Sequence, residues 1–183
     1  MKKNKFAALI AVSIGVSVGA AAPAMASEMW NIKCFDQSGH TMAVKAFTSH
    51  GVNLDIKAMP VDGTDHLDIK AISESDNSLH HVKVVPSQDD KDYSDVKAIT
   101  DDNKLIHVKG VSAKGITFHV KAMPNDATGE FDIKCLGTDG TVLALKAISP
   151  GGMVYDVKGL PELKGQKDLE VEIEAHIKAR PQQ

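Results

Sequence analysis

Four histidines stand two residues before a lysine, at a position where other copies of a repeated phrase carry aspartate: His81, His107, His119 and, near the end of the chain, His176. Imidazole and carboxylate are donors that zinc and copper accept. His107 and His119 belong to consecutive repeats flanked by Asp95 and Asp132, so neighbouring strands can set two imidazoles and two carboxylates on one outward face. This quartet is the candidate metal site, with zinc or copper as its cofactor. The competing reading takes aspartate and histidine as interchangeable partners for a nearby lysine on a wetted face. It is the stronger one, because a lysine two residues along the same strand repels a cation beside it.

Other chemistry is sparsely supplied. His80 and His81 are adjacent and would point to opposite faces of a strand, while His40, His50 and His66 fall in or near turns. The acidic run Gln88-Asp89-Asp90-Lys91-Asp92 lacks the glycine and terminal glutamate of an EF-hand loop. There is no Gly-x-Ser-x-Gly elbow and no phosphate-cradling glycine loop, and the serines gather in turns. No catalytic residue and no enzymatic activity are expected. The two cysteines, Cys34 and Cys135, each directly follow a lysine of the repeat, and no Cys-x-x-Cys spacing marks a reactive thiol. In an exported chain such a pair is expected to be bridged.

The elements that must position these groups come from the repeat itself. Twelve lysines share one slot: Lys33, Lys45, Lys57, Lys70, Lys83, Lys97, Lys109, Lys121, Lys134, Lys146, Lys158 and Lys178. They are spaced 12, 12, 13, 13, 14, 12, 12, 13, 12, 12 and finally 20 residues apart. The residue before the lysine is always Val, Ile or Leu, and the residue after it mostly Ala, Gly or Cys. Alternation of this kind, as in Ile116, Phe118, Val120 and Ala122 against Thr117, His119 and Lys121, is the signature of a strand with one buried face. Between the strands lie Gly, Asn, Asp, Ser and Pro, as in Ser149-Pro150-Gly151-Gly152. The fold class is all-β.

A near-constant period admits two architectures. A β-solenoid with one 12-residue coil per repeat needs two corners per unit, yet turn residues occur at one place. A strand of eight residues covers about 26 Å, and the four that remain span at most about 14 Å, so the chain must reverse. An antiparallel meander of about twelve short strands, closing as a barrel or sandwich, is therefore preferred. Twelve stacked lysines in a solenoid would also form a like-charge ladder, whereas antiparallel neighbours can oppose Asp to Lys. An even period demands odd-length loops or bulges if the apolar face is always to point inward.

A longer repeat overlies the first: Ala43 to Lys70 and His107 to Lys134 align without a gap at an offset of 64 residues. Units 31–94 are echoed by 95–155 within one domain, 27–183. Alternation from Leu169 to Ala179 predicts a closing strand at about 169–179, expected to pair with the first strand.

The N-terminus sets the compartment. Lys2, Lys3 and Lys5, an apolar stretch from Phe6 to Ala22 and Ala24-Met25-Ala26 describe a signal peptide over 1–26, with cleavage before Ser27. The stretch is too interrupted for a membrane span, and none follows it in the mature chain. Cleavage removes three positive and no negative charges, taking the formal net charge from -3 to -6. That balance, with aromatics at 4%, argues against nucleic acid and anionic membrane surfaces as partners.

Tandem units such as Asp68-Ile69-Lys70-Ala71-Ile72 and Asp95-Val96-Lys97-Ala98-Ile99, ending in Ala175-His176-Ile177-Lys178-Ala179, resemble an uncharacterised family of exported bacterial proteins with repeats of this type. Arg180 stands where that group tends to have Leu. The resemblance implies export and repeat structure and carries no catalytic residue. The expected function is a non-catalytic β-repeat module, periplasmic or secreted, that binds an unknown protein or envelope component or has a structural role. A periplasmic zinc- or copper-binding protein is the alternative.

Overall fold

A computed structural model of the chain describes residues 28–36, 38–161 and 171–182. The expected signal peptide lies outside the described residues, as do 169 and 170 of the expected closing strand. The described residues form twelve strands: β1 (Trp30–Phe35), β2 (Thr41–Phe47), β3 (Asn53–Pro60), β4 (Leu67–Ser73), β5 (Leu79–Val85), β6 (Ser94–Ile99), β7 (Leu105–Val111), β8 (Thr117–Asn125), β9 (Glu130–Leu136), β10 (Val142–Ile148), β11 (Val154–Pro161) and β12 (Ala175–Pro181). Alternation fixes their faces, as in β4, where Leu67, Ile69 and Ala71 are buried and Asp68 and Lys70 are not.

All the strands are antiparallel and lie in one sheet whose hydrogen bonds run in a ring, which removes the solenoid. Recurrent three-residue turns reverse the chain. Thr48 N donates to Val52 O and Gly51 N to Thr48 O, with Gly51 at φ +79. The same bonds recur at Thr100 and Lys104, where Asn103 takes the left-handed position at φ 59, and again at Ser112 and Ile116, Gly137 and Thr141, and Ser149 and Met153. An odd loop length brings residues of one face opposite each other, so the apolar face stays inward through an even period.

The strands group in threes, and this arrangement positions every polar residue discussed below. Along one edge β1 pairs first with β3 and then with β2, while β2 and β3 pair with each other, so the three strands close a triangle. β4, β5 and β12 form a second triangle, β6, β7 and β8 a third, and β9, β10 and β11 a fourth. The other edge of each strand joins a strand of another triangle, giving the ladders β1–β10, β2–β7, β3–β4, β5–β6, β8–β9 and β11–β12. Four triangles joined pairwise by six ladders have the connectivity of a tetrahedron, and each described strand is paired along both edges, which protects it from edge-to-edge association. The last strand does not meet the first. β10 flanks β1, and β12 completes the triangle of β4 and β5, with Glu174 N donating to Val84 O of β5 just before the strand begins.

Inside, the ladders set the branched residue before one lysine against the small residue after the other, as Ile56 faces Ala71, Ala58 faces Ile69 and Gly159 faces Ile177, the exception being Val84 opposite Val96. The small residues are the deepest, with Ala46, Ala58, Ala71, Ala98, Ala122 and Ala147 wholly buried. Cys34 and Cys135 occupy two of these slots and are bridged, tying the first triangle to the fourth across a sequence separation of 101.

Candidate functional site

With the interior filled, the polar chemistry of the repeat lies on the triangles. In each of them the lysine of one strand faces, on the next strand, the residue two before that strand's lysine, and the relation runs cyclically. In the first triangle Lys33 faces Ala43, Lys45 faces Asp55 and Lys57 faces Asn31. Lys70 faces His81, Lys83 faces His176 and Lys178 faces Asp68 in the second. In the third Lys97 faces His107, Lys109 faces His119 and Lys121 faces Asp95; in the fourth Lys134 faces Ala144, Lys146 faces Asp156 and Lys158 faces Asp132.

Among the described residues, register becomes hydrogen bonding for nine of the ten lysines whose facing residue can accept, His119 opposite Lys109 being the exception. Lys45 Nζ donates to Asp55 at 2.7 Å, Lys57 Nζ to Asn31 at 2.8 Å, Lys70 Nζ to His81 Nδ1 at 2.9 Å, Lys97 Nζ to His107 Nδ1 at 2.7 Å and Lys121 Nζ to Asp95 at 2.6 Å. Lys83 with His176, Lys146 with Asp156, Lys158 with Asp132 and Lys178 with Asp68 complete the set. These lysines are partly covered, Lys83 and Lys97 down to 6% and 7% exposure, so their hydrogen bonds matter more than those of exposed ion pairs.

The ladders impose the opposite condition. Across every one of the six, lysine faces lysine, as Lys45 faces Lys109 and Lys57 faces Lys70. Like charges directly opposite destabilise a sheet, and the acceptors of the triangles are what offset them. The like-charge contact expected only of a solenoid is therefore present here, in pairs rather than in one long row.

Titration follows the geometry. Burial works to raise Asp55, but the Lys45 hydrogen bond and the charges of Lys45, Lys57 and Lys33 outweigh it and hold the carboxyl below its ordinary value. Asp68 and Asp95 are lowered in the same way by Lys178 and Lys121, and Asp132 chiefly by its bond from Lys158. Burial lowers His81, His107 and His119, and neighbouring lysines lower them further, which keeps the imidazoles neutral and able to accept from ammonium.

The metal quartet is only partly assembled. His107, His119 and Asp95 share the third triangle, but Lys97, Lys109 and Lys121 alternate with them around it. Asp132 lies on the fourth triangle, bonded to Lys158. Among the described residues, no three His, Cys, Asp or Glu side chains converge as a metal set. Between the lysines and histidines of the second triangle there is a cleft of about 20 Å³, enough for one water.

The register also sets apart a group without histidine. Among the described residues Lys33, Lys109 and Lys134 make no hydrogen bond or ion pair. The signal was present in the sequence for two of them, since Ala43 and Ala144 stand in the slot that elsewhere carries Asp, His or Asn. Lys33 and Lys134 are also the residues that precede Cys34 and Cys135, so the disulfide anchors the backbone beneath both.

A family model described as a family of unknown function (DUF7486) matches residues 26–180. No curated protein and no solved structure matches the chain. No helix among the described residues is long and apolar enough to cross a membrane.

Proposed function

The chain belongs to a family of unknown function (DUF7486), and from that premise we propose that it is an exported, non-catalytic module that binds, or gives structure to, a component of the cell envelope. The observation that carries this reading is the division of the repeat between an interior filled by small and branched side chains and an outer face where lysines recur at fixed register. A surface of that regularity suits an extended partner contacted at several points. The Cys34–Cys135 bridge supports an oxidising compartment, and the basic, apolar and Ala-Met-Ala sequence of residues 1–26 supports delivery to it.

Fractionation of cells expressing the full chain tests this. The protein is expected in the periplasmic or extracellular fraction, beginning at Ser27 and with both cysteines oxidised. An uncleaved, reduced protein in the cytosol removes the export reading. Washed envelope fragments should then sediment the purified protein at low salt and release it at high salt; failure to sediment removes the envelope partner.

A second reading, zinc or copper, draws on the meeting of His107, His119 and Asp95 in one triangle. Titration of chelator-stripped protein with either metal decides it. Saturable binding that disappears in the His107→Ala/His119→Ala variant supports this reading, and binding indifferent to those substitutions rejects it.

A further inference from the structure

We infer that the surface over Ala43 is a binding site for a small oxyanion that carries an apolar body, an alkyl carboxylate being the simplest case. Ala43 occupies the acceptor slot that faces Lys33, so the first triangle holds three ammonium groups, one amide and a single carboxylate, Asp55. That carboxylate is already engaged, at 2.7 Å from Lys45 and 3.7 Å from Lys57. On the other side of β2, Lys109 faces Lys45 and Val111 faces Ala43. Facing residues of a sheet have Cβ atoms about 5 Å apart, so Lys33, Lys45 and Lys109 all bring their stems within reach of the space above one methyl group. Two of the three have no hydrogen bond or ion pair among the described residues. An anion seated there would take the place that Asp or His fills in the equivalent slots.

The shape of the surface extends the chemistry from charge to a ligand class. Over Ala43 lies an open depression of about 420 Å³ lined by Thr41, Ala43, Lys45, Phe47, Asn53, Val111, Ser112 and Ala113, with Lys33 and Lys109 outside the lining but beside it by register. That volume is in the range of small-molecule sites, about 300–1,000 Å³, and far exceeds the water-sized cleft of the second triangle. Its apolar walls are Phe47, Val111, Ala43 and Ala113, and its polar residues are Lys45, Asn53, Thr41 and Ser112. A bare inorganic anion would use only the lysines, whereas an anionic head on an alkyl body uses both parts.

This inference rests on reading the outer face as the binding surface, and it fails separately from the fractionation result, which concerns only where the protein resides. Purified oxidised protein is titrated with octanoate and with acetate at low salt, by calorimetry and by amide chemical shifts. Saturable octanoate binding is expected, with acetate at least about tenfold weaker and shifts centred on residues 41–47 and 109–113. Ala43→Asp supplies the missing acceptor and should weaken octanoate binding by about tenfold, while Ala144→Asp in the fourth triangle leaves it unchanged. Should Ala43→Asp fail to fold, Lys33→Gln/Lys109→Gln must show the same loss. The inference is overturned by non-saturable binding, by equal affinity for acetate and octanoate, by equal effects of Ala43→Asp and Ala144→Asp, or by wild-type affinity in the lysine variant.

Discussion

Gly110 is forbidden a side chain by the disulfide rather than by its own strand, and this can be measured as a coupling. A Cβ added at Gly110 would lie 2.6 Å from Cys34 Sγ, but 3.5 Å from Phe118 Cβ and 3.6 Å from Cys135 Sγ. Only the first contact is prohibitive, and Gly110 is not among the positive-φ glycines, so its backbone accepts alanine. Overpacking of this kind costs about 1–3 kcal/mol. Replacing both cysteines by alanine costs about 4.7 kcal/mol in the chain-entropy model for a separation of 101 residues. It also removes Sγ and restores to both slots the alanine found in most repeats. In that background Gly110→Ala meets no prohibitive contact and should stabilise by about 0.4–1 kcal/mol through the unfolded chain. The sign of the glycine substitution therefore reverses, with a coupling of about 1.5–4 kcal/mol. Urea unfolding of the wild type, Gly110→Ala, Cys34→Ala/Cys135→Ala and the triple variant, with thiols counted in each, measures it. An equal cost for Gly110→Ala with and without the bridge would falsify the packing assigned to this part of the core.

Three further outcomes follow from the triangles. Asp95 is the one carboxylate among the six facing residues of its triangle, bonded to Lys121 at 2.6 Å and 3.0 Å from Lys97, so Asp95→Ala should cost about 2–3 kcal/mol in urea unfolding. Asp102→Ala, on the exposed turn beside Lys104, should leave the midpoint almost unmoved, and equal effects of the two would contradict the role given to the triangles. Ala144→Asp should pair with Lys134 and stabilise by about 0.5–1 kcal/mol, and no gain at low salt counts against the register. Stability should fall with acid in two stages, read as the urea midpoint against pH. His81, His107 and His119 titrate lower in the folded state than their ordinary 6.5, so the unfolded chain takes up their protons first and stability declines below about pH 6.5. Asp55, Asp68, Asp95 and Asp132 are lowered from 3.8, so their contribution is complete above that value and is lost as pH falls through their folded values. Replacing the three histidines by glutamine should abolish the first stage alone.

How much of this was legible depends on whether a feature is local. Strands, their inward faces, the need for odd loops and the paired cysteines all follow from alternation and turn chemistry within a dozen residues. The triangles do not, because alternation tells which face a residue takes but not which strand lies beside it. The ladders β1–β10 and β2–β7 join distant parts of the chain and left no local trace. Alternation from Leu169 to Ala179 likewise suggested a longer strand than β12, since a strand extends only as far as a partner edge exists for it.

One signal of the triangles was nonetheless present in the lysine spacing. Each interval of 12 joins two strands of the same triangle through a three-residue turn. Longer intervals carry the chain onward: 13 from Lys57 to Lys70, 14 from Lys83 to Lys97, 13 from Lys121 to Lys134 and 20 from Lys158 to Lys178 each cross from one triangle to another. The exception is the 13 between Lys70 and Lys83, where Ser73 and Ser78 close a four-residue turn within the second triangle. The spacing explains why Asp132 does not join His107 and His119. It is next in the repeat count, but the interval before it is one of the crossings, and the carboxylate arrives opposite Lys158 instead. The informative departures in the slot were thus less the histidines, of which His81, His107 and His176 meet a lysine much as aspartate does, than the two alanines, which accept from nothing and leave Lys33 and Lys134 without the partner that the slot elsewhere supplies.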